Sequence, residues 1–271
     1  MASAHDLVAL WDETSRAALA LVEELTDEDL QRPTELPGWS VGDVVAHLAH
    51  LESVAAGLPQ PEGGSLTLPT GPDAPPVTIN DVVDVGVQAR RGRTRDELVD
   101  ELTRACEARR AMLAEIDVAD PATAAPGAFA AIGWPLKTVL RNRPFDLWIH
   151  EQDIRRATGR PTQTESAGAA HAAATFERAF PVALKRLPPH TSVVLEVTGP
   201  QGRTLAAEVG DDGRAVPVAP PAAPSLRLAM DDATWLMLGA GRPDPAQADV
   251  EITGDAEAAA TQVLRHLAIT P

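Results

Sequence analysis

The chain has no tyrosine, and its five Trp and four Phe hold aromatics to 3% of 271 residues. Leucine, valine, alanine and the tryptophans must therefore build the core. The apolar fraction of 44% is ordinary for a globular protein. A single cysteine, Cys106, excludes an intramolecular disulfide. It sits among Leu102, Ala105 and Met112 in a helical pattern, which suits a small buried or half-buried residue better than a reactive thiol. Positive charge is scarce: 23 Lys and Arg stand against 39 Asp and Glu, a formal charge of −16. No strong basic stripe offers itself to nucleic acid, and no polybasic segment to a membrane surface. No segment reaches the roughly 18 apolar residues of a membrane span. Residues 1–10 lack the basic start and apolar run of a signal peptide, so the expected compartment is the cytoplasm.

The length is comfortable for two domains. Leu7, Trp11, Ala18, Leu21, Val22 and Leu25 recur at helical spacing and predict a first helix over 4–25. Thr26 with Asp29 resembles a capping box for a short turn. Leu36, Pro37, Gly38 and Trp39 form a turn. Ser40, with Asp43 at the third helical position, then opens a helix over 41–56. Residues 57–76 hold too many Pro and Gly for a regular element and read as a loop. Asn80 can cap a third helix, ending near Gly92, and Thr94 with Glu97 a fourth. Another loop spans 120–127. A helix over 136–158 stops at Gly159 and is kinked or restarted at Pro144; a further helix spans 166–185. At Leu187, Pro188 and Pro189 the texture changes to strands at 192–198, 204–209, 225–230 and 250–253, with helices at 232–238 and 256–267. The expected class is α+β, a helical bundle over 1–187 followed by a small α+β domain over 188–271.

Of the seven histidines, His5 is near the start, His171 and His266 lie on exposed-looking helix faces, and His190 is in the linker. On the helix from Val41, about 100° per residue places Val41, Val44, Val45, Leu48 and Leu51 on one face, with His47 at its edge. His50 points nearly the opposite way and is expected to be solvated. A lone inward histidine is more often a hydrogen-bonded core residue than a ligand. Asp146 and His150, at i and i+4, share one helical face and can chelate a metal from a single helix, although such pairs also arise by chance. Asp153 follows one turn later. It can orient His150 through a hydrogen bond, or sit on the surface paired with Arg156 or Arg160.

Two long segments carry a family resemblance. One runs from Leu36 through Gly38, Trp39, Ser40 and Asp43 to His47 and Leu48. The other runs from Arg143 through Asp146, His150, Glu151, Gln152 and Asp153 to Gly159 and Arg160. Together they resemble the mycothiol-dependent maleylpyruvate isomerase family, part of the DinB-like metal-binding four-helix superfamily. The stretch 226–238, Gly241 with Arg242, the Ile252 to Asp255 segment and the closing Ile269, Thr270 and Pro271 resemble that family's sterol-carrier-protein-like domain.

The resemblance implies a four-helix bundle with a small α/β sandwich after it. It also implies one divalent metal held by His47, Asp146 and His150. Zn²⁺ is the expected ion, with Ni²⁺ or another as alternatives. The founding isomerase has Glu where Asp146 stands, which is one methylene longer. Arg90, Arg91 and Arg227 are the arginines that can be set against those the isomerase uses for thiol or substrate carboxylates, although each also fits an ordinary surface role. The implied cosubstrate is mycothiol or a similar low-molecular-weight thiol, and the implied partner a small electrophile met by a monomer or homodimer. The implied activity is S-transfer or isomerisation. A metal-binding protein without thiol chemistry and a metal-assisted hydrolase are the alternatives.

Overall fold

The computed structural model describes residues 2–67 and 77–270. It resolves into two compact units, Met1–Pro161 and Thr162–Pro271. Of the loop expected over 57–76, residues 68–76 lie outside the described residues, as does Pro271 of the closing motif.

In the first unit the local capping signals act as the sequence predicts. Ser3 and Asp6 close a capping box on α1 (Ala4–Glu23), Thr26 and Asp29 on α2 (Asp27–Leu30), and Ser40 and Asp43 on α3 (Val41–Ala55). α4 (Ile79–Gln88) starts earlier than expected. Its cap is Thr78, whose N–H and hydroxyl both reach the Asp81 carboxylate at 2.7 Å, not Asn80. α5 (Arg95–Glu115) opens on Thr94 and Glu97. The short α6 (Gly127–Ala131) was not foreseen; five residues give no periodicity to read. α7 (Leu136–Ala157) runs unbroken through Pro144, and Gly159 follows it at φ 72° as the expected stop. Leu136, Leu140, Leu147 and Ile154 keep both sides of the proline in one core with Leu7, Trp11, Leu48 and Leu102.

α3 is the central helix, with α4, α5, α6 and α7 packed around it. Apart from Gly42 and Asp43, every residue of α3 is buried. The expectation of one wet face therefore fails here, and with it the placement of His50. That side chain is 1% exposed, and its ring lies against α4 at Gly86, where a Cβ would stand 2.0 Å from it. Cys106 on α5 is buried as expected, and burial pushes its thiol up to about 12.

In the second unit, a five-stranded sheet has the order β3-β2-β1-β4-β5. The strands are β1 (Ser192–Thr198), β2 (Arg203–Val209), β3 (Ala215–Pro217), β4 (Leu226–Asp231) and β5 (Glu251–Thr253). β1 and β4 run parallel, and the other pairs are antiparallel. β1 is central and buried nearly throughout rather than on one face. β3 is a short edge strand ending in proline, too short for the sequence pattern to reveal. α8 (Ala167–Ala183) belongs to this unit, so the division falls at 161/162 and not at 187/188. Its Phe176 covers Gly239 of α9 (Asp232–Gly239), where a Cβ would stand 2.7 Å from the ring, and it meets Trp235 edge-on at 6.3 Å. α10 (Ala260–Leu267) completes the unit.

Candidate metal centre

α3 and α7 bring together His47 and, 99 positions later in the sequence, Asp146 with His150 one turn beyond it. His47 Nε2 lies 3.1 Å from Asp146 Oδ2, and His150 Nε2 lies 3.6 Å from Asp146 Oδ1. One ligand atom from each of the three falls within 4.8 Å of the others. The two imidazoles meet edge to face at 4.5 Å. Trp39, from the turn before α3, lies over both: it stacks on His150 at 6.3 Å and tilts against His47 at 5.4 Å. The spacing follows from the helices. An i,i+4 pair presents two donors on one face of α7, and the inward edge of α3 supplies the third.

The charges of His47 and Asp146 suit a cation. Burial drives His47 down to about 4, more than the Asp146 charge can raise it, so its ring is neutral at neutral pH. Burial alone would raise Asp146, but the Arg143 guanidinium and the two histidines hold its carboxyl well below the usual range. His150 Nδ1 stands 2.9 Å from Asp153 Oδ2. An ionised carboxylate only accepts, so His150 Nδ1 donates its hydrogen to Asp153, and Nε2 is the ring nitrogen that faces Asp146. The donor set fits a divalent ion: two imidazoles, one anionic oxygen, and a carboxylate behind one histidine. His47 Nδ1 is buried without a hydrogen-bond partner among the described residues.

Residues 9–155, more than half of the chain, match the family described as the mycothiol maleylpyruvate isomerase N-terminal domain. The chain belongs to that family. A crystal structure of the mycothiol-dependent maleylpyruvate isomerase is similar over 93% of this chain and 96% of that one, at 15% identity and a TM-score of 0.55. A crystal structure of a histidine-to-alanine mutant of that isomerase matches over the same shares at 14% identity and a TM-score of 0.57. At these identities the likeness is one of fold. No curated protein matches the sequence.

In this member of the isomerase family, Asp153 is not a surface residue. It is 2% exposed, while Arg156 pairs with Glu35 at 2.6 Å and Arg160 approaches Glu24 at 4.0 Å. The three arginines picked out by the sequence have other partners. Arg90 is 1% exposed, with Glu101, Gln60, the Gly86 carbonyl and His50 taking its donors, so it is a structural residue and not a surface one. Arg91 pairs with Asp43 at 2.8 Å near the start of α3. Arg227 is on β4 in the second unit, paired with Glu196.

What the sequence did not reveal is the layer below Asp146. Glu52, fully buried on α3, receives Arg143 Nε at 2.9 Å, Arg109 Nη1 at 2.6 Å and Trp11 Nε1 at 2.9 Å. Arg143 Nη1 then donates to Asp146 Oδ2 at 2.6 Å. Arg143 stood in the family-like segment, three residues before Asp146, and that i,i+3 spacing was the available signal. Separately, a cavity of about 280 Å³ opens beside His50, lined by Val54, Leu58, Gln60 and Val82 among others, and none of the three donors lines it.

Proposed function

We propose that this protein is a metal-dependent enzyme that uses a low-molecular-weight thiol, mycothiol in the chemistry for which its family is named. It would isomerise a small electrophilic substrate of the maleylpyruvate kind or transfer the thiol to it. The observation that carries this reading is the convergence of one ligand atom each from His47, Asp146 and His150 within 4.8 Å.

A bound zinc-like cation with three protein ligands keeps a position open and lowers the pKa of a thiol placed there. The chain's own residues do the rest. His47 offers a neutral nitrogen, because burial keeps it unprotonated. Asp146 supplies the negative charge, held ionised by Arg143. Asp153 fixes the tautomer and ring plane of His150. Trp39 covers the two imidazoles from one side, which limits water there. The nucleophile must come from outside, since Cys106 is buried with a high thiol pKa.

The test is elemental analysis of the purified protein and of His47→Ala, with calorimetry of mycothiol against both. The expected result is about one divalent ion per chain and saturable mycothiol binding, with most of both lost in His47→Ala. Equal metal content in the two proteins would remove His47 from the site. Metal binding without any response to thiol would favour a binding or hydrolytic role.

A further inference from the structure

The ion network below Asp146 is more than the helical core needs. Burying charges is costly, and apolar residues of similar volume commonly serve stability as well. Glu52, Arg109 and Arg143 are nonetheless all 0–1% exposed. Two guanidiniums against one carboxylate leave an excess positive charge, and Asp146 is the group that Arg143 turns to. Arg143 is gripped from one side. Its Nε donates to Glu52 Oε1 at 2.9 Å, and its Nη2 comes within 2.9 Å of the same oxygen without hydrogen-bond alignment. That grip directs Nη1 at Asp146 Oδ2, 2.6 Å away. Oδ2 also lies 3.1 Å from His47 Nε2, whereas the neighbour of Oδ1 is His150 Nε2 at 3.6 Å, with no guanidinium on it. The two oxygens of Asp146 are therefore unequal before any cation arrives.

We propose that Arg143, held by Glu52, is a positioning residue that pins Oδ2 of Asp146 and leaves Oδ1 to turn to the cation. Asp146 then serves as a one-oxygen ligand. A carboxylate free to turn would offer both oxygens and fill a coordination position that a cosubstrate needs. The fork geometry of a guanidinium suits this bridging, because it can address two carboxylates at fixed angles. Arg109 reaches only the far oxygen of Glu52, at 2.6 Å, and has no part in the effect. This inference rests on the metal reading above.

Co²⁺ loading tests it, with visible absorption reporting coordination number and chelator competition reporting affinity. The parent protein is expected to show the intense bands of a four- or five-coordinate ion. Arg143→Met should weaken those bands several-fold as Asp146 turns both oxygens inward, and should change Co²⁺ affinity by about tenfold or more. Arg109→Met removes a charge from the same network on the side away from Asp146 and should leave both readings unchanged. Arg143→Lys retains the charge without the fork; it should shift the spectrum in the same direction, and it carries the test should Arg143→Met fail to fold. A parent-like spectrum in the Arg143 variants, or an equal shift in Arg109→Met, would overturn the proposal. Failure of the parent itself to bind Co²⁺ would overturn the metal reading and this one with it.

Discussion

His150 and Asp153 form a hydrogen bond of 2.9 Å within one turn of α7, with the Asp153 carboxylate almost wholly buried behind the ring. Such a carboxylate sharpens a histidine as a ligand by fixing the hydrogen on the far nitrogen.

Asp153→Asn keeps the shape but weakens the acceptor. Metal affinity should fall by roughly 10–100-fold with little change in melting temperature. Competition with a chelator of known affinity checks this. An unchanged affinity would return Asp153 to a packing role.

His50 makes acid stability a second readout. Burial, with Arg90 beside it, lowers His50 to about 4 from an ordinary 6.5. A histidine depressed on folding leaves stability whole above 6.5. That stability is lost as the pH falls toward 4, because the unfolded chain takes the proton first. The metal-free protein should therefore lose on the order of 3 kcal/mol through this group alone over that window. Urea unfolding at pH 7, 5.5 and 4 measures it, and the slope with pH should be shallower in His50→Gln. Equal slopes would mean that His50 is not held neutral.

Gly86→Ala would drive a methyl into the His50 ring, since the added Cβ would lie 2.0 Å away. The expected cost is about 1–3 kcal/mol of overpacking. Adding His50→Ala should recover part of it, a coupling that a double-mutant cycle detects. Independent, additive losses would argue against the close packing.

Trp39→Ala should separate stability from function. Trp39 is half-buried, so its loss should cost less than the roughly 3–5 kcal/mol of a fully buried tryptophan. Because the ring lies over His47 and His150, thiol-dependent turnover should fall much further than the melting temperature implies. Proportionate changes in both would confine Trp39 to packing the turn.

The position of α8 predicts how the chain may be shortened. A protein ending at Pro161 keeps His47, Asp146 and His150 and should still take up metal. One ending at Leu187 carries α8 without its sheet, leaving Phe176 and Phe180, each 3% exposed in the full chain, uncovered. It should aggregate more readily on size-exclusion chromatography. Better behaviour of the longer protein would move the boundary back toward 187/188.

The parts legible in the sequence are those fixed over a few residues. Ser40 with Asp43 and Thr94 with Glu97 marked helix starts correctly, because a capping box is complete within four positions. Asp146 and His150 could be paired because helical spacing alone puts them on one face. His50 was misread because a single helix's pattern cannot show that α4 covers its other side. Glu52 and Arg143 were missed for the same reason: their partnership spans 91 residues and exists only once α3 meets α7. Asn80 was named as the cap of α4, but the Asp81 hydrogen bonds put the cap two residues earlier, at Thr78.

The silence of Cys106 gives the protein a built-in unfolding clock. As the only sulfhydryl in the chain, with burial raising it to about 12, it stays unreactive toward disulfides and alkylating reagents while α5 remains packed. Any labelling that does occur marks the moments when the bundle opens, so its rate measures how often the core exposes itself.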